Sequence, residues 1–235
     1  MKITINGLKN GSIRFENGRI VKGSSPFGGS KVVDETKSIG TLGIKKIRVD
    51  TKVADVVIST GTTSKVVVRY HGDIVTEGKA NLAVSRFNDE INIVGNFNGN
   101  IFSGSLKLEI EIPKKQFETI KVESINGRVT LKKEVKAASL NIRTTNGSVE
   151  TEAYFKEANV RTINGSLYIY AMANNDINIY AASTNGSIEV ELQNISSYNM
   201  ETSSVNGSVR IRYNLGGEYK VTGKVTSLNG SIMMR

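Results

Sequence analysis

Residues 162–167 read Thr-Ile-Asn-Gly-Ser-Leu, and variants of this sequence occur six times in the second half of the chain. Every copy places a Ser or Thr two positions before an Asn-Gly pair and an aliphatic residue three positions after the Asn. The six pairs are Asn126-Gly127, Asn146-Gly147, Asn164-Gly165, Asn185-Gly186, Asn206-Gly207 and Asn229-Gly230. Their spacings of 20, 18, 21, 21 and 23 residues indicate one supersecondary unit used repeatedly.

Apolar and polar residues alternate on both sides of every Asn-Gly pair. In the second copy, for example, Ile142 is followed by Arg143 and Val149 is followed by Glu150. A period of two sends successive side chains to opposite faces, which is typical of a half-buried strand. No stretch of comparable length repeats at helical spacing, so the sequence predicts an all-β fold.

Two arrangements of these strands use an Asn-Gly turn. In an antiparallel meander, each pair closes a β-hairpin. In a β-solenoid, each pair forms the corner of a coil, and equivalent residues stack along one axis. In both arrangements we expect positive φ at the turn, because Gly adopts it freely and Asn tolerates it.

Charge pairing favours the solenoid, because facing like charges destabilise a sheet. Stacking successive repeats pairs Glu123 with Arg143, Lys132 with Glu152, Glu189 with Arg210, Glu191 with Arg212, and Glu201 with Lys224. The same stacking opposes Arg143 with Arg161 and Arg212 with Arg235, whereas hairpins oppose Lys121 with Lys132 and Lys224 with Arg235. We expect the Asn amides to form a ladder along the stack and the preceding hydroxyls to form a second one. The predicted fold is therefore a β-helix-like solenoid of ~20-residue coils, with the hairpin meander as the alternative.

The first half of the chain carries a degenerate repeat and additional strands. Residues 47–58 superpose on residues 120–131 without a gap, and Val53-Ala54 replaces Asn-Gly. Further strands are predicted at residues 65–70, 82–87, 90–94 and 106–112, with a hairpin turn at Asn88-Asp89. We divide the chain into residues 1–38, with two strands and a Gly/Ser-rich loop at 23–30; residues 39–118, with the degenerate coil and a hairpin-rich cap; and residues 119–235, the regular solenoid. From about residue 40 these parts form one continuous unit.

This layout resembles the bacterial putative-adhesin domain family of unknown function, whose members are also called toast-rack domains. The resemblance rests on residues 47–59, Ile-Arg-Val-Asp-Thr-Lys-Val-Ala-Asp-Val-Val-Ile-Ser, together with the later Asn-Gly series, and it covers residues 40–235. The family implies a β-solenoid-like domain and a link to the cell envelope, through adhesion or the sensing of envelope stress. It supplies no catalytic residues.

The net charge of +9 gives one candidate binding surface. Lys45, Lys46, Arg48 and Lys52 form the densest basic cluster, which predicts attraction to phospholipid or to anionic cell-wall polymers. Solubility is the alternative interpretation of this charge. No module of interleaved Arg and aromatic residues is present, so specific nucleic-acid binding is not expected.

A second candidate surface is aromatic. Tyr168, Tyr170 and Tyr180 are predicted to lie outward and near each other, where a strip of rings binds sugar or protein; a packed side cluster is the alternative. Glu189 and Glu191 are expected to form a salt-bridge lattice with the two arginines that follow them one repeat later, Arg210 and Arg212.

Sequence patterns of catalysis and metal binding are missing. The chain has no cysteine, and its one histidine, His71, is predicted to be an ordinary residue where a strand enters a turn. P-loop, dinucleotide and calcium-nonapeptide sequences are absent, so we expect no cofactor, no metal and no catalytic residue.

The sequence predicts a non-enzymatic scaffold that presents a strand face to a protein or to an anionic envelope polymer. The alternatives are a polysaccharide-acting β-helix enzyme and a cytoplasmic module that self-associates end to end through its terminal coil. No apolar run reaches the length of a signal peptide or membrane span, which predicts an unexported chain, whereas the family resemblance implies the envelope.

Overall fold

The computed structural model describes residues 3–8, 11–16, 19–22, 29–212 and 215–235. Every regular element in these ranges is a strand. None of the described residues belongs to a helix that is long and apolar enough to span a bilayer. Most of the Gly/Ser-rich loop predicted at residues 23–30 lies outside the described residues.

The first described strands form a small sheet of their own. These are β1 (Ile3–Leu8), β2 (Gly11–Glu16) and β3 (Arg19–Lys22), paired antiparallel in the order β1-β2-β3. The sequence predicted two strands in this region, and the third is an addition. Asn10, in the turn expected between the first two, lies outside the described residues.

The next strands contain the degenerate coil and the predicted hairpin-rich region. In chain order they are β4 (Gly29–Gly40), β5 (Lys46–Thr51), β6 (Ala54–Gly61), β7 (Lys65–Thr76), β8 (Lys79–Phe87), β9 (Glu90–Asn98), β10 (Ile101–Gly104) and β11 (Leu106–Pro113). The four predicted strands correspond to β7, β8, β9 and β11, and β8 and β9 form the predicted hairpin at Asn88-Asp89. The sequence did not predict β4 or β10.

The Asn-Gly repeats supply the remaining twelve strands. These are β12 (Gln116–Asn126), β13 (Val129–Leu131), β14 (Lys136–Asn146), β15 (Val149–Thr151), β16 (Glu157–Asn164), β17 (Leu167–Met172), β18 (Ile177–Asn185), β19 (Ile188–Gln193), β20 (Ile195–Ser204), β21 (Val209–Ile211), β22 (Tyr219–Asn229) and β23 (Ile232–Met234). We number the coils by the strand pairs β5–β6, β12–β13, β14–β15, β16–β17, β18–β19, β20–β21 and β22–β23, as coils one to seven.

Equivalent strands of the coils pair in parallel, in two sheets. The first strand of each coil belongs to a nine-stranded sheet, and the second strand belongs to an eleven-stranded sheet. Asn126 is in register with Asn146, and Asn146 with Asn164. The solenoid is thereby confirmed, and the hairpin meander is wrong. Coil one is confirmed as well, because Ile47 is in register with Ile120 and Val56 with Val129.

The coils do not stack in sequence order. In both sheets, coil seven lies between coils five and six, so coil six is at the end of the stack. Our charge pairing assumed successive stacking, and two of its pairs, Glu189 with Arg210 and Glu191 with Arg212, are therefore wrong. Glu201 and Lys224 belong to coils six and seven, which are neighbours, and they form the predicted ion pair at 2.9 Å.

The inner faces of the two sheets enclose one aliphatic core. Its members are the alternate residues of each strand, such as Val122, Ile142 and Val160, which are all fully buried. Phe117 and Tyr70 are the largest side chains that are fully buried. Burial of this alternate set leaves the intervening residues on two outward faces, one for each sheet.

Hairpin strands close the end of the stack next to coil one. β8 is an edge of the nine-stranded sheet, and β4 joins the eleven-stranded sheet through β7. Side chains of β4 contact the backbone of the facing edge strand: Glu35 accepts a hydrogen bond from the N–H of Leu82, and Lys37 donates to its carbonyl. These contacts satisfy an edge that would otherwise be open to another strand.

Candidate functional site

The Asn side chains of six coils form one continuous column. The amides of Asn146, Asn164 and Asn185 each donate to Oδ1 of the Asn in the preceding coil at 2.8 Å. Asn229 and Asn206 continue the column with bonds of 2.7 and 2.8 Å. The predicted amide ladder is confirmed, and it marks one corner along the length of the repeats.

Close stacking of the coils explains the glycines at this corner. A Cβ at Gly165 would lie 2.1 Å from the carbonyl oxygen of Gly147, and a Cβ at Gly186 would lie 2.0 Å from that of Gly165. Gly127, at 157°, is the one residue of the six Asn-Gly pairs with positive φ. Our expectation of positive φ is therefore wrong at the other pairs. Glycine is needed because the corners are too close for a side chain.

Four of the six hydroxyl residues bond to those glycines and do not form the separate ladder that we expected. The side chains of the other two, Ser124 and Thr144, have no hydrogen-bond partner among the described residues. Thr162 donates to the carbonyl of Gly147 and Ser183 donates to that of Gly165, each at 3.0 Å. Ser227 and Ser204 make the same contact with the preceding coil in the stack. The corner is thus held by backbone, amide and hydroxyl bonds, which accounts for its uniform sequence.

Carboxylates neutralise most of the basic cluster predicted as a binding surface. Lys45 bonds to Glu118 at 2.9 Å, and Lys46 bonds to Asp89 at 3.1 Å. The hydrogen bond that Lys45 donates to Glu118 is also the main cause of the raised pKa of Lys45.

Arg48 and Lys52 complete that cluster. Arg48 bonds to Asp50 at 2.8 Å and to Glu123 at 3.2 Å, and Asp50 is the main cause of its raised pKa. Lys52 is exposed and pairs with no described carboxylate. The cluster therefore presents much less free positive charge than the sequence suggests.

The three tyrosines do not form a single strip. Tyr168 and Tyr170 lie on β17 and point outward from the eleven-stranded sheet, whereas Tyr180 lies on β18 in the nine-stranded sheet. All three point outward as predicted, but on opposite faces of the molecule. Tyr168 donates a hydrogen bond to Glu191 at 3.1 Å, so its hydroxyl belongs to a polar network.

Arg235 supplies the cation of the predicted charged patch. It contacts Glu189 at 2.8 Å and Glu191 at 3.1 Å, in the place that the sequence assigned to Arg210 and Arg212. The patch is a salt-bridge network between coils five and seven. Because both carboxylates share one guanidinium, this arrangement differs from a pair of free catalytic acids.

The described residues show no further catalytic or metal-binding arrangement. We predicted that His71 lies where a strand enters a turn, but it lies within β7. Its Nε2 is 3.3 Å from Oε2 of Glu109. A hydrogen bond from Lys107 is the main cause of the lowered pKa of Glu109, with a smaller contribution from His71. Among these residues, no three His, Asp or Glu side chains are grouped to hold a metal.

A groove on the nine-stranded sheet, beside the Asn column, was not predicted. We call it the outer groove; its volume is about 540 Å³. One wall contains the residue just before each Asn, which in stack order includes Thr145, Ile163, Thr184, Leu228 and Val205. On coils five, seven and six, the floor contains the residue two positions before the wall residue. These floor residues are Ala182, Thr226 and Ser203. The groove therefore has an aliphatic and threonine wall and a floor of small side chains.

Two arginines lie at one end of the outer groove. Arg143 and Arg161 are in register on the neighbouring strands β14 and β16, and both are exposed. Arg161 donates to Asn159 at 2.9 Å, and neither guanidinium pairs with a described carboxylate. We call these residues the arginine pair. Glu123, the register neighbour of Arg143, instead contacts Arg48 and Lys121.

A sequence signal for the outer groove existed. Outward positions of a half-buried strand are normally polar, yet Ile125, Ile163, Val205 and Leu228 are aliphatic at the same outward position. We noted the aliphatic residues on the inward positions only. The sequence also showed that stacking opposes Arg143 with Arg161. This contact was counted only as unfavourable, because the groove beside it was not predicted.

One solved structure is similar over nearly its whole length. It is a putative cell adhesion protein from Clostridium sporogenes, with a TM-score of 0.55 and 14% identity, covering 87% of this chain and 99% of that one. A putative adhesin from Bacteroides fragilis matches with a TM-score of 0.42 and 15% identity over 87% and 97% of the two chains. No curated protein matches. At these identities the likeness to the Clostridium protein concerns the fold alone.

The family can be assigned from the sequence of the first four coils and the start of the fifth. The Toastrack DUF4097 family matches residues 44–178, which is more than half of the chain. This range begins just before coil one and ends within β18 of coil five. The chain therefore belongs to the Toastrack DUF4097 family.

Proposed function

We propose that this protein is a non-enzymatic binding scaffold of the adhesin type, and that its outer groove binds an extended anionic polymer of the cell envelope. The observation that supports this proposal is the arginine pair, which faces solvent beside an apolar wall without a carboxylate partner. The name of the similar Clostridium sporogenes structure, a putative cell adhesion protein, agrees with the general role of an adhesin.

The arginine pair favours an anionic ligand. Like charges on neighbouring strands destabilise a sheet, and a bound anion would remove that repulsion. Guanidinium groups recognise carboxylate and phosphate in a bidentate manner, with better geometry than an ammonium group. Two such groups on adjacent coils suit a ligand whose acidic groups follow one another along the solenoid axis.

The shape of the groove favours a polymer strand over a flat membrane. The wall crosses the strands and follows the stack of coils, so the groove runs along the solenoid axis. Asp50 and Glu123 lie beside it on the same outward face and pair with Arg48, so this part of the face offers little free positive charge to a broad anionic surface. A single extended chain can contact the arginines and the wall while avoiding these carboxylates.

Co-sedimentation with purified, anionic cell wall tests the proposal. It compares the double variant Arg143→Gln/Arg161→Gln with a control double variant, Lys45→Gln/Lys46→Gln. Each double variant lowers the net charge from +9 to +7, by two charges. We expect the arginine variant to lose most binding and the lysine variant to bind like the wild type. Binding should fade as the screening length falls from about 10 Å at 0.1 M salt to about 3 Å at 1 M.

Anionic vesicles form the second arm of this experiment. If the vesicles bind and the cell wall does not, the ligand is a lipid surface and the polymer proposal is wrong. Equal losses in both variants would show that net charge alone causes binding. Thermal unfolding of each variant checks that the solenoid remains folded.

A further inference from the structure

The end of the stack at coil six lacks the closure seen at the other end. β20 is the last strand of the nine-stranded sheet, and β21 is the last strand of the eleven-stranded sheet. No described strand pairs with the outer edge of either one. Both layers of the solenoid therefore end in open strands at the same place.

Coil six keeps the apolar pattern of an internal coil. Val209 and Ile211 are each 41% exposed, whereas the equivalent residues of the other six coils are at most 1% exposed. Terminal repeats of a soluble solenoid normally carry a polar outer surface. Coil six has the sequence of a coil that is covered on both sides, and the described chain covers only one side.

The backbone of β21 is available for pairing. Ser208 accepts a hydrogen bond from Ile232, and Arg212 donates to the carbonyl of Met234. Because alternate residues of an edge strand bond to the neighbouring strand, the N–H and C=O groups of Val209 and Ile211 point away from β23. The amide column ends here too, since no described donor reaches Oδ1 of Asn206.

We propose that coil six is an interface for a second copy of this chain, which pairs its own coil six with it, tail to tail. The opening presents two edge strands in two layers, and a single peptide strand could pair with only one of them. Another coil end has the same two-layer shape. The opposite end consists of β8 and of β4, whose side chains bond to the backbone of β8, so it offers no matching coil end, and pairing through coil six gives a dimer closed by a two-fold axis.

Charge complementarity favours one orientation of the two copies. A two-fold axis parallel to the strands places β20 of one copy antiparallel to β21 of the other. The outward faces then continue across the interface, so Glu201 of one copy shares a face with Arg210 and Arg212 of its partner. The other orientation, β21 against β21, would bring the arginines of both copies together.

Sedimentation velocity of the full chain over a wide range of concentration tests this proposal. We expect the wild type to sediment with twice the mass of the 235-residue chain, and Val209→Lys/Ile211→Lys to sediment as a monomer. Val32→Lys is the matched control, because Val32 is 78% exposed on β4, at the closed end. This control should remain dimeric.

A second variant separates strand pairing from apolar contact. Val209→Pro keeps an apolar side chain but removes the outward N–H, and proline is tolerated where an edge N–H faces solvent. We expect this variant to be monomeric with a thermal midpoint close to that of the wild type. A wild type that is monomeric at all concentrations, or a Val209→Pro variant that stays dimeric, would overturn the proposal.

Discussion

The side-chain amide of Asn229 donates to Oδ1 of Asn185 at 2.7 Å, although the two residues are 44 positions apart in the chain. Asn206 lies between them in sequence but donates to Asn229, at 2.8 Å. The amide column is therefore continuous although two coils are out of sequence order. It depends on the shape of the corner, which all these coils share.

Interrupting the column should cost more at its middle than at its end. Asn164→Ala removes the side-chain bonds to Asn146 and Asn185, whereas Asn206→Ala removes only the bond to Asn229. At roughly 0.5–1 kcal/mol for each exposed amide bond, we expect losses of about 1–2 and about 0.5–1 kcal/mol. Urea denaturation measures both. If the end variant loses as much as the middle one, the column does not act through pairwise bonds.

The corner glycines should tolerate no side chain. In Gly165→Ala, the methyl group would lie 2.1 Å from the Gly147 carbonyl oxygen, so neighbouring coils must move apart. We expect a loss of roughly 2–4 kcal/mol in the free energy of unfolding. Gly40→Ala is the control, because nothing lies within 4 Å of its Cβ, and it should change stability by less than ~0.5 kcal/mol. Chemical denaturation of both variants decides the matter, and similar losses would contradict the steric explanation.

Removing one member of the arginine pair should not destabilise the protein. Arg161 is exposed, faces Arg143 across the strands and lacks a described carboxylate partner. We expect Arg161→Val to alter the free energy of unfolding by less than ~0.5 kcal/mol, with any change toward greater stability. The same denaturation assay checks this expectation. A loss above ~1 kcal/mol would assign the arginine a structural role and weaken the case for binding.

Tyr70 should make stability fall at alkaline pH. Burial is the main cause that raises its pKa from 10.0 to about 12, with a smaller contribution from Glu35. Because the folded state holds the proton more tightly, the stabilisation is complete below pH 10 and is lost as the pH rises from 10 to about 12. The loss attributable to Tyr70 is up to about 2–3 kcal/mol.

Tyr70→Phe isolates this contribution, since the other tyrosines remain. The Tyr70 hydroxyl is buried and has no described hydrogen-bond partner, so at pH 7 its removal should be neutral or stabilising. Denaturation at several pH values between 9 and 12 gives the comparison. The prediction fails if wild type and variant lose stability in parallel over this range.

The repeat determined what could be predicted from the sequence. Alternation around Asn-Gly identified the inward residues, and the gapless match of Ile47 to Ile120 identified the degenerate coil, because both depend on local pattern. Coil order could not be read in this way. Coils six and seven offer coil five equivalent corners, so which of them lies next to coil five depends on tertiary packing that no local pattern records.

The candidate sites were harder to predict, because they depend on which strands become neighbours. Lys45 and Arg48 looked like free charge in a linear sequence, but Glu118 and Glu123 lie beside them only after the chain has folded. Tyr180 is close to Tyr170 in sequence, yet the return between β17 and β18 places them in different sheets. The outer groove required the outward residues of five strands to be considered together.

The position of coil seven also constrains the order of folding. Coil six is synthesised first, but its neighbour in both sheets is coil seven, so its native partner strands are absent until that later segment has been made. Earlier coils can add one at a time onto the one before, whereas coil six reaches its final place only when coil seven lies on coil five. We expect chains that stop before residue 219 to keep coils one to five and to leave residues 195–211 without their native partner strands.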